Sequence, residues 1–268
     1  MLFLRKENNN SFTFMKNLLC ALLLGLLCLN FAAYAQPGPP RGPQFSGAMD
    51  KLFGDNQTFS ATLAMQMPDA SGNTITVPGK IMYDTGKSRY EMNMTEAQGR
   101  QMPPDAVAQM KAMGMDRMVI ISRPDKKVAY MIYPGMQAYV ENEMPDSETS
   151  TAPDDFKIQT TELGKDTVDG HPCVKNKVVV TDKDGTTHES TVWNATDLKN
   201  FPIKIQTIED GRDMTMIYKD ISFTKPDASQ FEPPSGYKKY DSMESLMREQ
   251  MMKRMGGMGG PGMMPPQN

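Results

Sequence analysis

Between residues 168 and 211 the chain turns back on itself three times. Val168-Asp169-Gly170, Asp182-Lys183-Asp184-Gly185 and Glu209-Asp210-Gly211 each close one strand-like run and open another. Asp-Gly supplies positive φ at low cost and sets the register of two antiparallel strands. Turns this tight leave no space for the crossover helices of a parallel sheet. The runs they separate are 156–163, 173–181, 186–193, 203–208 and 214–223. Upstream, 58–67, 74–83, 88–94, 118–122, 127–133 and 137–141 also read as strands. Arg123-Pro124-Asp125-Lys126 and Pro134-Gly135 turn the chain between the later ones. The spacing predicts about ten or eleven strands in chain order, mostly antiparallel.

Two helices accompany this sheet. The stretch 103–115 begins Pro-Pro-Asp and carries Val107, Met110 and Met113 on one side. The stretch 241–254 aligns Met243, Leu246, Met247 and Met251 at helical spacing. A short helix is expected over 45–53. A flat sheet of this size would leave an apolar face in water, so the sheet should curl, with the helices covering its concave face. The expected class is α+β, mostly antiparallel β, with one sheet domain over 56–240. Residues 36–55 form a Pro/Gly-rich linker and the short helix, and 241–268 a Met-rich helix and tail.

The first residues read as an export signal. Lys16 precedes an unbroken apolar run over 18–29, and Ala33-Tyr34-Ala35 follows as a small-x-small cleavage site. Cleavage is expected between Ala35 and Gln36. The run is too short to span a bilayer, which takes roughly 20 apolar residues. Cys20 and Cys28 both follow leucine, so neither completes a lipobox. The mature chain is therefore expected in the periplasm or outside the cell. Losing residues 1–35 takes Lys and Arg from 29 to 26 and Asp and Glu from 32 to 31, leaving a net charge of −5. An acidic chain is a poor match for a nucleic-acid partner. Cys173 becomes the only cysteine, which rules out an internal disulfide.

Cys173 stands two residues from His171, on the same side if both lie on a strand. The pair admits two readings, a reactive or metal-binding site and a buried thiol that opens a core strand. A metal site needs further ligands, and His188 is the only other histidine. A nucleophile needs a base and an orienting group. The chain holds no HExxH, phosphate-binding loop or GxSxG. Asp182-Lys183-Asp184-Gly185 resembles the start of a calcium loop without its closing Glu. No cofactor and no catalytic set is expected.

Methionine is abundant, at 26 of 268 residues. It is flexible and polarisable, which suits contact with varied apolar partners. Thioether sulfur also selects Cu(I), and Met251, Met252, Met255 and Met258 are the candidates for that chemistry. Plain packing of a tail is the third reading.

Three stretches carry a resemblance to a known family. They are TELGKDTVDGHPCVKNKVVV (161–180), VWNATDLKNFPIKI (192–205) and KPDASQFEPPSGYKKY (225–240). With them, residues 56–240 resemble an exported bacterial domain of unknown function, family 4412. That family is similar to the periplasmic lipoprotein carriers LolA and LolB and to mycobacterial LppX. The resemblance implies an unclosed, curved half-barrel whose apolar hollow holds acyl chains. It makes Cys173 a framework position. The carriers latch their lid with an arginine on the sheet, for which Arg89 and Arg117 are candidates here.

The expected function is a non-enzymatic binding protein holding an acyl chain, lipid or lipoprotein anchor. A copper-binding envelope protein and a ligand-free assembly protein with envelope partners are the alternatives. The expected lining comprises Phe59, Leu63, Met65, Ile81, Tyr83, Met92, Val119, Ile121, Tyr130, Ile132, Tyr139 and Trp193. Met110 and Met113 join it from the insert helix. A one-residue slip in parity would move any of these to the other face.

Overall fold

The computed structural model describes residues 47–69, 71–99, 102–145, 149, 155–209 and 211–257. The expected leader, its cleavage site at Ala35 and Gln36, most of the linker, and the tail from Met258 onward lie outside the described residues.

The alternating runs become β1 (Thr58–Pro68), β2 (Thr74–Asp84), β3 (Lys87–Asn93), β4 (Arg117–Arg123), β5 (Val128–Tyr133) and β6 (Ala138–Glu143). The second group becomes β7 (Phe156–Val168), β8 (His171–Asp182), β9 (Thr187–Ala195), β10 (Phe201–Glu209) and β11 (Arg212–Ser222), followed by a short β12 (Lys238–Tyr240). All lie in one unclosed 12-stranded sheet, ordered β12-β6-β5-β4-β3-β2-β1-β11-β10-β9-β8-β7. Every neighbouring pair is antiparallel except β12 with β6. The mainly antiparallel half-barrel is therefore as expected, with one strand more.

The Asp-Gly turns work as their chemistry dictates. Asp169 and Gly170 both have positive φ, 49° and 85°, the pair of values a tight two-residue hairpin requires. Asp182 turns the next hairpin through its carboxylate, which accepts the Asp184 and Thr186 amides at 3.0 and 2.9 Å. That carboxylate is thus committed to the turn.

Among the described residues, three helices attend the sheet. α1 (Gly47–Asp50) runs directly into a 3-10 turn, Lys51–Phe53. α2 is Pro104–Ala112 and α3 is Met243–Gly257. Phe53 is 1% exposed. Its ring centroid lies 4.8 Å from Phe59, 5.4 Å from Tyr83, and 5.9 Å from both Phe201 and Tyr218. One short segment therefore touches four consecutive strands, β2, β1, β11 and β10, which requires the sheet to curve around it. α3 buries Leu246 against Tyr133, Ala138, Val140 and Tyr240. α2 keeps no residue buried. Gly114, just beyond it, meets Gly135 backbone to backbone, so closely that a Cβ on either would sit within 2.6 Å of the other. α2 is thus docked at the β5–β6 turn.

From β11 the chain crosses the outer face as a strap and ends in β12. Phe231 on this strap is buried against Val119, Ile121, Tyr130 and Ile132. Arg89 Nη1 donates to the Gln230 carbonyl at 3.1 Å, and Arg123 Nη1 to the Phe231 carbonyl at 3.2 Å. Glu232 accepts from Arg123 and from Lys126. The closing motif around Phe231 is thus what carries the chain from β11 over to β6 and α3.

Candidate ligand-binding site

Residues paired directly across neighbouring strands share a face. Along one line, Ala61 pairs with Ile81, Ile81 with Tyr90, Tyr90 with Ile120, Ile120 with Met131, and Met131 with Val140. Along the next, Met216 pairs with Met65, Met65 with Val77, Leu63 with Gly79, Gly79 with Met92, and Met92 with Met118. This is the inner face, on which Phe53 and Leu246 pack. Among the described residues, the strand methionines Met65, Met67, Met92, Met118, Met131, Met214 and Met216 all point inward. Met82, which pairs with Arg89 and Ser60, points outward. Met67, Ile75, Met118, Ile120 and Met131 on this face are only half-buried. The result is a broad apolar surface, rich in flexible thioethers, which α1 and α3 cover in part.

Four polar groups sit in this apolar surface. Tyr83 is hydrogen-bonded to Asp50, and Tyr218 Oη donates to Met216 Sδ at 3.6 Å. Burial pushes all the phenols here upward, so each remains a protonated donor. Asp50 is 8% exposed and one of its oxygens, Oδ1, has no protein partner. Burial raises its carboxyl from 3.8 to about 8, against the lowering effects of Lys51 and the Tyr83 hydrogen bond. Tyr90 Oη is also buried without a partner.

The expected lining divides between two faces. Phe59, Leu63, Met65, Ile81, Tyr83 and Met92 come together in one inner cluster. Val119, Ile121, Tyr130, Ile132 and Tyr139 do not join them. Ile121 pairs with Arg89 and Tyr130, and Val119 with Glu91 and Ile132, which puts them on the outer face beneath Phe231. Trp193 is outer as well, since its neighbour Val192 is the residue that pairs with inner Ile205. The Trp193 ring lies under Lys204 and Lys175, 4.2 and 5.0 Å from the ammonium groups, and its Nε1 donates to Asp166 at 2.8 Å. Met110 and Met113 are half-buried. The parity error arose where both faces are covered. β4 and β5 carry apolar side chains at every position from Met118 to Ile121 and from Tyr130 to Tyr133, so alternation does not mark the inside. The inner cluster also holds Phe53, Tyr90 and Tyr218, the last of which the alternation Met214, Met216, Tyr218 marks in the sequence.

Cys173 is a buried thiol within β8. It is 3% exposed and packs with Trp193, Ala195 and Ile203. Its thiol donates to the backbone carbonyl of His171 at 3.3 Å, while the His171 ring engages Asp197 at 2.8 Å. Burial raises the thiol above its ordinary value, the opposite of what a nucleophile needs. A cleft of about 410 Å3 beside it, bordered by Lys165, Asp166 and Thr167, belongs to the outer side. No group of three or more His, Cys, Asp or Glu residues is arranged to hold a metal among the described residues. Met251 and Met252 are 63% and 64% exposed, but adjacent helical side chains diverge by about 100° and cannot chelate together. Arg89 holds the outer strap, and Arg117 is exposed at the start of β4. Neither arginine faces the inner site. No described helix is long and apolar enough to cross a membrane.

Fold and site together define an open antiparallel half-barrel with a methionine-lined concave face. The chain belongs to the family described as a domain of unknown function, DUF4412, whose model matches residues 59–201. Among solved structures it is similar to a LolA superfamily protein from Nitrosomonas europaea. Identity is 8%, with 69% of this chain and 94% of that one covered at a TM-score of 0.36. It is also similar to the lipoprotein LppX of Mycobacterium tuberculosis, at 10% identity, 65% and 88% coverage and a TM-score of 0.35. No curated protein matches the chain.

Proposed function

We propose that the protein is a non-enzymatic carrier or sensor of the bacterial envelope that holds an apolar ligand against its inner face. The ligand class is an acyl chain, either of a lipid or of a lipoprotein anchor. The observation that carries this reading is the inward orientation of the strand methionines, of which Met67, Met118 and Met131 remain only half-buried. Thioethers adapt to a chain of variable shape without fixed polar contacts. A core built only for stability favours side chains with fewer rotamers. Export after removal of residues 1–35 would place the protein where such ligands travel.

The reading is tested by charging the inner face. Ile120→Asp puts a carboxylate between Tyr90 and Met131, where an apolar ligand would lie. Affinity for a fluorescent long-chain fatty acid is expected to fall at least about tenfold, given the cost of desolvating an unpaired charge. Lys80→Asp, on the exposed outer side of β2, should change nothing. Equal binding by both variants and the parent, with circular dichroism confirming the fold, would place the ligand elsewhere.

A further inference from the structure

Tyr90 is 1% exposed, yet the protein gives its Oη no hydrogen-bond partner. Among the described residues, only one other buried side-chain oxygen shares that condition, Asp50 Oδ1. A buried hydroxyl without a partner is unfavourable and rare, and it needs a physical reason. Gly79 supplies part of one. A Cβ there would sit 2.7 Å from Tyr90 Cε2 and 3.0 Å from its Oη. The missing side chain leaves room for the Tyr90 ring against β2, although a Cβ there would also clash with the Glu91 carbonyl oxygen. The surroundings of Tyr90 Oη on the inner face include Leu63, Ile81, Met92 and the Tyr218 phenol, and none of them accepts from it. The sheet therefore builds a slot that delivers one hydrogen-bond donor into an apolar surface.

We propose that Tyr90 Oη donates a hydrogen bond to a carbonyl oxygen of the ligand, so that the inner site selects an acyl ester or amide over a bare hydrocarbon. This inference rests on the inner face being the ligand site. The phenol stays protonated because burial raises it, so it is a donor at any physiological pH. A neutral carbonyl is the fitting acceptor, since an unpaired carboxylate would be costly at this depth.

The test uses Tyr90→Phe, which keeps the ring in its slot and removes only the hydroxyl. Diphenylhexatriene, a fluorescent hydrocarbon, serves as the reporter, with methyl palmitate and hexadecane as competitors. The parent protein is expected to prefer methyl palmitate. In Tyr90→Phe the affinity for methyl palmitate should fall about fivefold, the worth of one net hydrogen bond, while hexadecane and the reporter bind as before. If both competitors bind the variant as they bind the parent, the Tyr90 assignment is wrong and the inner site still stands. If the parent does not take up the reporter, the inner-face reading fails and takes the assignment with it.

Discussion

Phe53→Ala is expected to destabilise the protein by about 3–5 kcal/mol, the usual cost of removing a fully buried aromatic ring. The ring is enclosed by Phe59, Tyr83, Phe201 and Tyr218, all within 6 Å between centroids, so its neighbours have little freedom to collapse into the space. It also anchors the short segment formed by α1 and its 3-10 turn. Its loss should therefore do more than weaken the core. The segment should detach more often, and a ligand bound beneath it should exchange faster. Chemical denaturation measures the first effect, and the off-rate of diphenylhexatriene the second. A loss below about 0.5 kcal/mol, the range of ordinary surface substitutions, would show that Phe53 is not the keystone of this packing.

Asp50→Asn should act in the opposite direction and depend on pH. The Asp50 carboxyl titrates near 3.8 when unfolded and at about 8 when folded. Between those values the native state holds a proton that the unfolded state has released, so unfolding becomes easier as pH rises. The stability tied to this group is therefore complete below about pH 4. It declines through neutrality and is flat again above about pH 8. At 1.36 kcal/mol per unit, the gap amounts to ~4 kcal/mol at pH 7. Asparagine keeps the shape and carries no charge, so the variant should gain about that much at pH 7 and nothing at pH 4. Asp84, Asp125 and Glu232 have lowered values and add acid-side trends to both proteins, so the difference between variant and parent is the quantity to follow. The charged and titratable groups acting on Asp50 are Lys51 and Tyr83. A difference independent of pH would mean that Asp50 is ionised in the native state.

The sheet was legible in the sequence because its turns are chemically explicit. Asp169-Gly170 and Asp182 to Gly185 announced their hairpins, and alternation gave the strands between them. β12 was not legible, since Lys238-Lys239-Tyr240 is too short to show a period and pairs in parallel with a distant strand. The run read from the sequence as 156–163 is longer in the structure. In the structure Gly164 adopts a φ of 136° and the register shifts there, while pairing continues to Val168. The two sides of β4 and β5 could not be told apart, because the strap brings Phe231 against one and the half-barrel uses the other. That contact joins residues about a hundred positions apart, and no local pattern encodes it. The C-terminal helix covers the inner face as expected through Leu246, but the insert helix buries no residue there. Val107, Met110 and Met113 looked like a packing stripe, but Phe53, a single ring in a short segment, does that work.

The most direct test of the inner-face reading is the mass of the protein as the cell delivers it. The chain would be exported in bacteria, purified without detergent, and weighed in native and denaturing conditions. A bound acyl compound predicts an added mass that disappears on denaturation and is recovered in organic solvent. A bare polypeptide mass, combined with failure to take up diphenylhexatriene, would contradict a ligand on the inner face and leave the methionine-rich surface as plain core.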